Sequence, residues 1–430
     1  MSGARVLVLS HTTGYQLRAF DEAAEALGIE LVFATDRCHH LEDPWQDRAI
    51  PIRFFDVDAS LAAILRHHEE FPIAGVIAVG DRPVVLAARV AEALGLEWHS
   101  IDGASASADK SHARTALALA GLPSPTFSAH FVTLATQART FRLVHRFPVV
   151  LKPKGLSGSR GVIRADDDAS FAAAFNRICA LLARPQIREA RDGLEAEILV
   201  EQYIDGMEFA IEGVMTRGEL RVFAIFDKPD PLKGPYFEET IYVTPSRATL
   251  DVQARIVEHV RHAAAVLRLN HGPIHAECRV TDEGKVYVLE VAARPIGGLC
   301  SRVLMFSRES EPGTRHALER VLLEHALGRS IDSYIREAEA VAVMMIPIPA
   351  RGLFKGVTGE EAARAVPGVI GLHITAKHDQ LLETLPEAGS YLGFIFAHGA
   401  TAADAEAAVR DAHRCLTFEI GRPLPVTGNR

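Results

Sequence analysis

Two acidic residues in the segment HAECRVTDEGKVYVLEVAAR, Glu277 and Glu290, lie where a β-hairpin would bring them together. If Glu283 and Gly284 are the two central turn residues, a variant of the Asp-Gly hairpin signal, Glu277 is directly opposite Glu290. Side chains so opposed have Cβ atoms about 5 Å apart, and like charges there destabilise a sheet. In a partly buried site one acid would be driven neutral unless a divalent cation, such as magnesium bound with phosphates, lay between them. The hairpin therefore predicts a metal site.

The same register predicts which side chains face this site and which face the core. It places His275 opposite Ala292 and Arg279 opposite Val288, on the face of the two glutamates. The other face is the core side, with Ile274, Ala276, Cys278, Val280, Tyr287, Leu289 and Val291.

A permanent positive charge follows the second strand of the hairpin. Arg294 directly precedes the glycines of Pro295-Ile296-Gly297-Gly298, on the face of the carboxylates. A fixed cation beside a metal pair is what a transferring phosphoryl group requires, which favours the metal interpretation. The alternative is that both acids are exposed on a solvated sheet face, with Arg279 compensating one of them.

The segment LKPKGLSGSRGV, residues 151–162, joins a strand pattern to a flexible loop. Lys152 and Lys154 alternate along the strand, and three glycines and two serines then follow within seven residues. Positive charge on a strand next to such a loop predicts a lid over the phosphates of a nucleoside triphosphate. The loop is not a Walker P-loop, because it has no GK[ST] and the lysine precedes the glycines.

Composition limits the kinds of protein that this chain can be. Its 430 residues suit two or three domains, and 48% hydrophobic with 23% charged residues predict a large core. The net charge of −9 argues against a general nucleic-acid binder. Five scattered cysteines without a CxxC pair suit a reducing compartment and give no zinc signature. Neither a signal peptide nor an apolar run of about 18 residues is evident, so we expect a soluble cytoplasmic protein with no membrane partner.

The order of predicted elements gives the architecture. Strands alternate with amphipathic helices over the first hundred residues, which predicts a parallel, Rossmann-like α/β sheet, although no GxGxxG follows the first strand. Two antiparallel hairpins follow, MEFAIEGVMTRGELRVFAIF and the hairpin of the two glutamates. The last hundred residues read as a small α+β unit.

These motifs together resemble the ATP-grasp superfamily of carboxylate–amine ligases, over nearly the full length. The resemblance rests on the order of ADKSHART, FPVVLKPKGLSGSRGV, ILVEQYIDGMEF and HAECRV…YVLEVAARPIGG. The C-terminal RGLFKGVTGEEAARAVPGVIGLHIT is similar to the cap of L-amino acid ligases, which make dipeptides. It implies a Rossmann-like pre-ATP-grasp domain (1–104), a two-lobed ATP-grasp domain with antiparallel sheets (105–330, lid lobe about 120–205) and an α+β cap (331–430).

The resemblance also implies the nucleotide site. Lys110 and Lys152 match the lysines on the phosphates, and the loop from Ser157 matches the lid whose backbone N–H groups close over the β- and γ-phosphates. Glu201 would accept from the adenine amino group, and Glu208 would hold the ribose hydroxyls. The implied nucleotide-binding residues are Lys110, Lys152, Ser157, Gly158, Ser159, Gly161, Glu201, Gln202, Tyr203, Ile204 and Glu208.

Glu277 and Glu290 match the magnesium (or manganese) ligands of the family, and Arg294 matches the residue that steadies the γ-phosphate. One position departs from the family: many relatives have an asparagine two residues after the second metal glutamate, and Ala292 stands there. We expect His275 or a water to fill that gap, or the second metal ion to be held less firmly.

The implied reaction has two steps. A substrate carboxylate attacks the γ-phosphate of ATP to give an acyl phosphate and ADP, and an amine then displaces phosphate to form an amide. Catalysis would come mostly from positioning and from charge neutralisation by magnesium, Lys152 and Arg294. The closed lid would keep water from the acyl phosphate.

Substrate recognition is expected in the less similar segments. In KGPYFEETIYVTPS (233–246), Glu239 is the candidate for holding the ammonium of a first amino acid, with Glu238 and Tyr242 nearby. The alternative is that these are surface acids on a loop. Further candidates are His275, Arg294, Gly297 and Gly298 for the carboxylate substrate, and His373 and His378 of the cap for the second substrate.

Two other functions remain open from the sequence. One is an ATP-grasp ligase of purine or carboxylase type with a different nucleophile, against which the cap argues. The other is a non-catalytic nucleotide sensor, which Ala292 makes more plausible. The identities of the acid and the amine are open as well, and a homodimer is one option for the oligomeric state.

Overall fold

The structure is a computed structural model that describes residues 3–11, 15–36, 48–132, 146–189 and 197–422. Within these ranges the strands form five sheets, whose strand orders are given below. Among the described residues, no helix has both the length and the apolar character that a membrane crossing requires.

The N-terminal sheet is parallel, as the alternating pattern predicts, with the strand order β3-β2-β1-β4. Val6–Leu9 of its second-from-edge strand β1 are fully buried, because helices cover both faces of such a sheet. Its elements are β1 (Arg5–Ser10), α1 (Tyr15–Leu27), β2 (Glu30–Thr35), β3 (Ala49–Pro51), α2 (Val57–Glu70), β4 (Ile73–Val79) and α3 (Val84–Leu94).

Two helices lead from this sheet to the lid lobe, α4 (Ile101–Ala108) and α5 (Lys110–Leu119). Asp109 caps α5 by accepting from the N–H groups of Ser111 and His112, which fixes Lys110 at the first helical position. The lid lobe is an antiparallel sheet of order β5-β8-β6-β7 with its own core. Its elements are β5 (Phe127–Phe131), β6 (Val149–Pro153), β7 (Ile163–Ala165), α6 (Asp168–Leu182), α7 (Pro185–Arg188) and β8 (Glu197–Gln202).

The largest sheet has eight strands in the order β13-β12-β9-β10-β11-β17-β21-β19, and every neighbouring pair is antiparallel. Its first five strands carry the two predicted hairpins. These elements are β9 (Met207–Thr216), β10 (Glu219–Lys228), β11 (Ile241–Thr244), α8 (Leu250–Val266), β12 (Gly272–Val280) and β13 (Val286–Ala292).

The remaining strands of this sheet, β17, β21 and β19, come from the C-terminal segment. The sheet therefore includes strands from both sides of residue 331, and the domain boundary placed there stays a prediction. After a 3-10 helix (Cys300–Val303), two small sheets have the orders β15-β14-β16 and β20-β18-β22. The elements are β14 (Met305–Arg308), β15 (His316–Ala317), α9 (Leu318–Ala326), β16 (Tyr334–Arg336), β17 (Ala340–Ile346), β18 (Gly352–Thr358), α10 (Glu360–Arg364), β19 (Val369–Ile374), β20 (Leu381–Leu382), β21 (Gly393–Gly399), α11 (Ala402–Arg414) and β22 (Thr417–Gly421).

Candidate active site

The hairpin of β12 and β13 places Glu277 directly opposite Glu290, and His275 opposite Ala292. Opposed residues of an antiparallel pair extend to the same face, so the two carboxylates lie on one side of the sheet. Both glutamates are partly exposed, whereas the residues that flank Glu277 in β12 are fully buried. The face of the two glutamates therefore borders open space.

The pairing of Arg279 with Val288 that the sequence predicts is wrong, because Arg279 is opposite Tyr287. The predicted core face changes accordingly. Val286 and Val288 are buried, whereas Tyr287 and Leu289, which the prediction placed in the core, are only partly buried.

Two local features explain this difference. The Gly284 N–H donates to the Thr281 carbonyl, so the central turn residues are Asp282 and Glu283 rather than Glu283 and Gly284. This moves the register by one residue near the turn, and a bulge at Leu289 moves it back. The two shifts cancel, so the prediction holds at the glutamates although it fails closer to the turn.

Lys228, the last residue of β10, lies at the centre of the acidic face. Its Nζ is 2.8 Å from a carboxylate oxygen of Glu208, 3.0 Å from Glu239 and 2.8 Å from Glu277. Glu208 is directly opposite Lys228 across the β9–β10 pair, and its second oxygen accepts from Arg279 at 2.8 Å. The acids thus converge on one buried ammonium, which the sequence analysis did not identify.

The buried charges shift one another's pKa. Burial opposes the charge of Lys228, but the three carboxylates outweigh it and hold its pKa well above the usual range. Burial also opposes the charge of Glu277, but Lys228 and His275 keep its pKa well below the usual range. For Glu239 burial dominates and raises the pKa to about 6. Glu239 therefore takes up a proton more readily than Glu277.

The donor set fits a hard divalent cation. Glu208, Glu239 and Glu277 each offer an oxygen, and these oxygens lie within 4.8 Å of one another. Glu290 faces the same side from the neighbouring strand. Carboxylate oxygens are the ligands that magnesium and calcium prefer. In this structure the Lys228 ammonium neutralises part of the negative charge of the three carboxylates.

His275 is buried opposite Ala292, the position where many relatives have an asparagine. Its two ring nitrogens contact glutamates. Its Nδ1 is 3.2 Å from Glu212 on β9, and its Nε2 is 3.9 Å from Glu277. Glu212 is fully buried, and its two oxygens accept from the Ile296 N–H, each at 3.1 Å. Glu212, another residue that the sequence analysis missed, thereby connects the metal-candidate strand to the loop after Arg294.

Arg294 is positioned by the N-terminal domain. Its Nε donates to Asp81, in the turn after β4, at 2.7 Å. Burial opposes the charge of Asp81, but Arg294 outweighs it and lowers the pKa of the carboxyl, with smaller contributions from Lys110 and from a hydrogen bond of Ser157. Asp81 thus interacts with Arg294, Lys110 and Ser157. The family resemblance implies a phosphate-binding role for all three.

The two predicted phosphate lysines lie under the lid. Lys110 Nζ donates to the Leu156 carbonyl at 3.0 Å. Lys152 Nζ lies 2.6 Å from Glu201, and burial lowers the pKa of this lysine. Glu201 is buried and also accepts from Arg114 Nε at 3.0 Å. Both Glu201 oxygens therefore already have cationic partners, which the prediction of an adenine acceptor did not include.

The lid loop follows β6. Gly158, Ser159 and Gly161 have φ angles of 63°, 56° and 75°. The two glycines adopt such angles without strain, which Ser159 does not, and a Cβ at Gly161 would lie 2.5 Å from Pro153. The Gly161 N–H donates to the Pro386 carbonyl at 2.8 Å. Its predicted contact with a phosphate is therefore not available in this arrangement, because the cap occupies the amide.

The segment predicted to surround the adenine joins the lid to the large sheet. The Gln202 N–H donates to Thr126 at 2.9 Å, and the Tyr203 N–H to Pro148 at 3.3 Å. The Ile204 carbonyl accepts from Arg279 at 2.7 Å. These contacts fix the path of the segment beside Glu208, whose role at the ribose stays a prediction.

The predicted substrate residues fall into two groups. Glu239 belongs to the acidic cluster and accepts from the Tyr242 hydroxyl at 2.9 Å. Gly297 borders open space, whereas a Cβ at Gly298 would lie 3.0 Å from the Phe394 ring. The two cap histidines have other partners. Nε2 of His373 is 2.8 Å from the Arg302 guanidinium, and Nδ1 of His378 is 3.2 Å from the Asp379 carboxylate.

Comparison with known proteins identifies the parts of this architecture. Residues 145–303 match an ATP-grasp domain, residues 21–96 an ATP-grasp N-terminal domain, and residues 344–421 an L-amino acid ligase C-terminal domain. The crystal structure of L-amino acid ligase from Bacillus licheniformis superposes with a TM-score of 0.81 and 26% identity, over 98% of this chain and 100% of that one.

Sequence relatives agree with the structural match. Alanine–anticapsin ligase from Bacillus subtilis is 29% identical over 49% of this chain and 46% of its own length. Dapdiamide A synthase from Enterobacter agglomerans is 25% identical over 56% of this chain and 55% of its own length. The chain thus spans about half the length of these two relatives. The chain therefore contains an ATP-grasp domain, and over its whole length it is similar to an L-amino acid ligase.

Proposed function

We propose that this enzyme joins the carboxylate of one amino acid to the amine of a second, through an acyl phosphate. The observation that carries the proposal is the pair Glu277 and Glu290, directly opposed on the face that also holds Lys228. The likeness of the whole chain to L-amino acid ligase, and of parts of it to alanine–anticapsin ligase and dapdiamide A synthase, supports amino acids as substrates.

In the first step, a carboxylate oxygen of the donor attacks the γ-phosphorus of ATP. The bond from that phosphorus to the bridging oxygen breaks, and ADP leaves with the electron pair. Negative charge accumulates on the transferred oxygens, and fixed cations lower its energy in a site that excludes water. Arg294, held by Asp81 at 2.7 Å, and Lys152 are our candidates for these cations.

In the second step, the neutral amine of the acceptor attacks the acyl carbon. The carbon–nitrogen bond forms, the carbon–oxygen bond to the phosphate breaks, and inorganic phosphate leaves as the nitrogen loses its proton. The acceptor must therefore give up a proton before or during attack. We assign Glu239 to this acceptor rather than to the first amino acid, for which the sequence made it a candidate. Burial raises its pKa to about 6, so this carboxyl is suited to hold an ammonium and to accept a proton from it.

Magnesium or manganese would be held by Glu277 and Glu290, with Glu208 close enough to Glu277 to contribute, which leaves Glu239 to the acceptor amine. The ion supplies positive charge to the nucleotide phosphates when it is bound. In its presence, the Lys228 ammonium is free to turn from the carboxylates towards phosphate. Lys228 thereby joins Lys110 and Lys152 as a candidate phosphate residue.

The remaining nucleotide contacts are proposed as the resemblance implies them. The lid residues Ser157, Gly158 and Ser159 would close over the phosphates, and Gln202 to Ile204 would contact the adenine. The Gly297 backbone borders open space after Arg294, which suits the approach of the donor carboxylate. The cytoplasmic location and a homodimer stay predictions.

The decisive experiment is an ATP-dependent screen of amino acid pairs. Wild-type enzyme should release phosphate and give products at the summed masses of two amino acids minus water. Glu290→Gln should abolish both, because the metal pair loses a charge. Glu283→Gln, in the exposed turn of the same hairpin, is the matched control and should be fully active. Nucleotide binding without turnover for any pair would overturn the proposal and favour a sensor.

A further inference from the structure

A narrow cavity lies between the lid loop, the acidic cluster and the cap. The acidic side consists of Glu238 and Glu239, and the lid contributes Gly158 and Ser159. The cap forms the remaining wall with Ile348, Leu385, Ala388, Gly389, Ser390 and Tyr391.

This cavity shares one wall residue, Glu239, with the acidic cluster. Glu239, in its wall, is 3.0 Å from Lys228, which in turn is 2.8 Å from Glu277. A molecule whose amine lies at Glu239 therefore has the rest of its structure within reach of the cavity. The far wall is largely apolar, since Ile348, Leu385 and Ala388 belong to it.

Glu238 distinguishes this cavity from a plain apolar pocket. It lines the cavity and is partly buried. Within the described part of the chain, no ion pair of Glu238 is found, in contrast to Glu239 with its partner Lys228. A carboxylate that is partly withdrawn from water without a counter-ion is stabilised by any cation placed beside it.

The position of the lid completes the cavity. The Gly161 N–H donates to Pro386 at 2.8 Å, and Arg177 binds Glu387 through two nitrogens at 2.6 and 2.7 Å. Arg184 binds Glu383 at 2.7 Å. These contacts hold Gly158 and Ser159 against the cap segment, so both walls of the cavity are present together when the lid is docked.

We propose that this cavity is the acceptor subsite and that it selects an amino acid with a basic side chain. The α-amine would lie at Glu239, the aliphatic stem along Leu385 and Ala388, and the terminal cation at Glu238. The inference rests on the proposed function, since it names which amine completes that reaction.

The test compares lysine with norleucine, which has a stem of similar length without the charge. Each is offered as acceptor with the donor that the pair screen identifies, and fragmentation of the product shows which residue and which amine were acylated. Glu238→Gln should lower the lysine-to-norleucine ratio of kcat/KM by about tenfold, the effect of one charge-assisted contact. Glu361→Gln, an exposed acid of the cap, should leave the ratio unchanged.

A second variant tests the cavity without touching a charge. Ala388→Leu should reduce kcat/KM for norleucine and lysine by at least about tenfold relative to glycine, which needs no room there. A Glu238→Gln ratio within about twofold of wild type, or an Ala388→Leu enzyme that treats the three acceptors as wild type does, would overturn the subsite. Failure of the wild-type enzyme to make any amide would instead overturn the proposed function.

Discussion

Arg294 donates to Asp81 at 2.7 Å, and this bond joins the loop after β13 to the turn after β4. The N-terminal sheet therefore does more than support the ATP-grasp domain, because it fixes the direction of a guanidinium that is assigned to the transferring phosphoryl group. Burial opposes the charge of Arg294, and Asp81 is the strongest of the acids that raise its pKa in spite of it.

Asp81→Asn should lower kcat for amide formation by about 10- to 100-fold, because a hydrogen bond to a charged group is worth about 1.5–3 kcal/mol. The KM for ATP should change less, since Asp81 orients Arg294 rather than contacting adenine. Steady-state phosphate release measures both. Asp58→Asn, an exposed acid of the same domain, is the control. An unchanged kcat in Asp81→Asn would show that Arg294 does not need this partner.

Lys228→Met should destabilise the metal-free enzyme by about 3–5 kcal/mol, because removing one partner of a buried ionic cluster leaves uncompensated charge. Added Mg²⁺ or Mn²⁺ should restore part of that free energy, since the three carboxylate oxygens lie within 4.8 Å of one another. Denaturant unfolding with and without the metal measures the effect. Lys285→Met, an exposed lysine of the hairpin, should show neither change. Equal loss with and without metal would contradict the metal fit.

Glu387→Gln should weaken the contact between the lid and the cap, where Arg177 binds Glu387 at 2.6 and 2.7 Å. The pair is partly exposed, so we expect a modest effect of about 1 kcal/mol on closure. A lid that closes less often admits water to the acyl phosphate, so the ratio of phosphate released to amide formed should rise about fivefold. Parallel assays of phosphate and amide give this ratio. Glu361→Gln should keep the wild-type ratio, and an unchanged ratio in Glu387→Gln would remove the cap from lid closure.

Three buried histidines predict acid sensitivity away from the active site. Burial lowers the pKa of His99 to about 4 and of His325 to about 3, and the ring of His271 stacks on His325 at 4.1 Å. Folded histidines with lowered pKa values bind fewer protons than the unfolded chain. Their contribution to stability is therefore complete above about pH 6.5 and is lost as the pH falls towards 4.

The His99→Gln enzyme should lose part of this pH dependence. A shift from 6.5 to about 4 corresponds to about 3 kcal/mol between pH 7 and pH 4. The difference in unfolding free energy between pH 7 and pH 4 should therefore be smaller by that amount in His99→Gln. His112→Gln, which removes an exposed histidine, should keep the wild-type slope. A wild-type stability that is flat from pH 7 to pH 4 would contradict the assignment.

The parallel N-terminal sheet, the antiparallel hairpins and the opposed glutamates could be predicted because each depends on patterns within short segments. The hairpin register shows the limit of such reasoning, since the turn and the bulge at Leu289 each shift it by one residue and the sequence reveals neither. The register at Glu277 and Glu290 is right because the two shifts cancel.

Lys228, Glu212 and Asp81 were missed because their partners are distant in sequence. Lys228 ends the apolar run FAIFDK much as Lys152 follows VVL, and this similarity was the available signal. Asp81 follows the strand AGVIAVG, where acids are common, and only the fold brings it to Arg294. Contacts between domains leave no local periodicity that a reader of the sequence can use.

The eight-stranded sheet makes the C-terminal segment a poor candidate for modular exchange. β11 pairs with β10 on one edge and with β17 on the other, so cutting the chain near residue 331 would expose the backbone of a buried strand. Whole-cap chimaeras between related ligases should therefore misfold or aggregate. The loop between β20 and β21, which reaches the lid without belonging to that sheet, is the smaller unit that evolution or an engineer can replace to change the product.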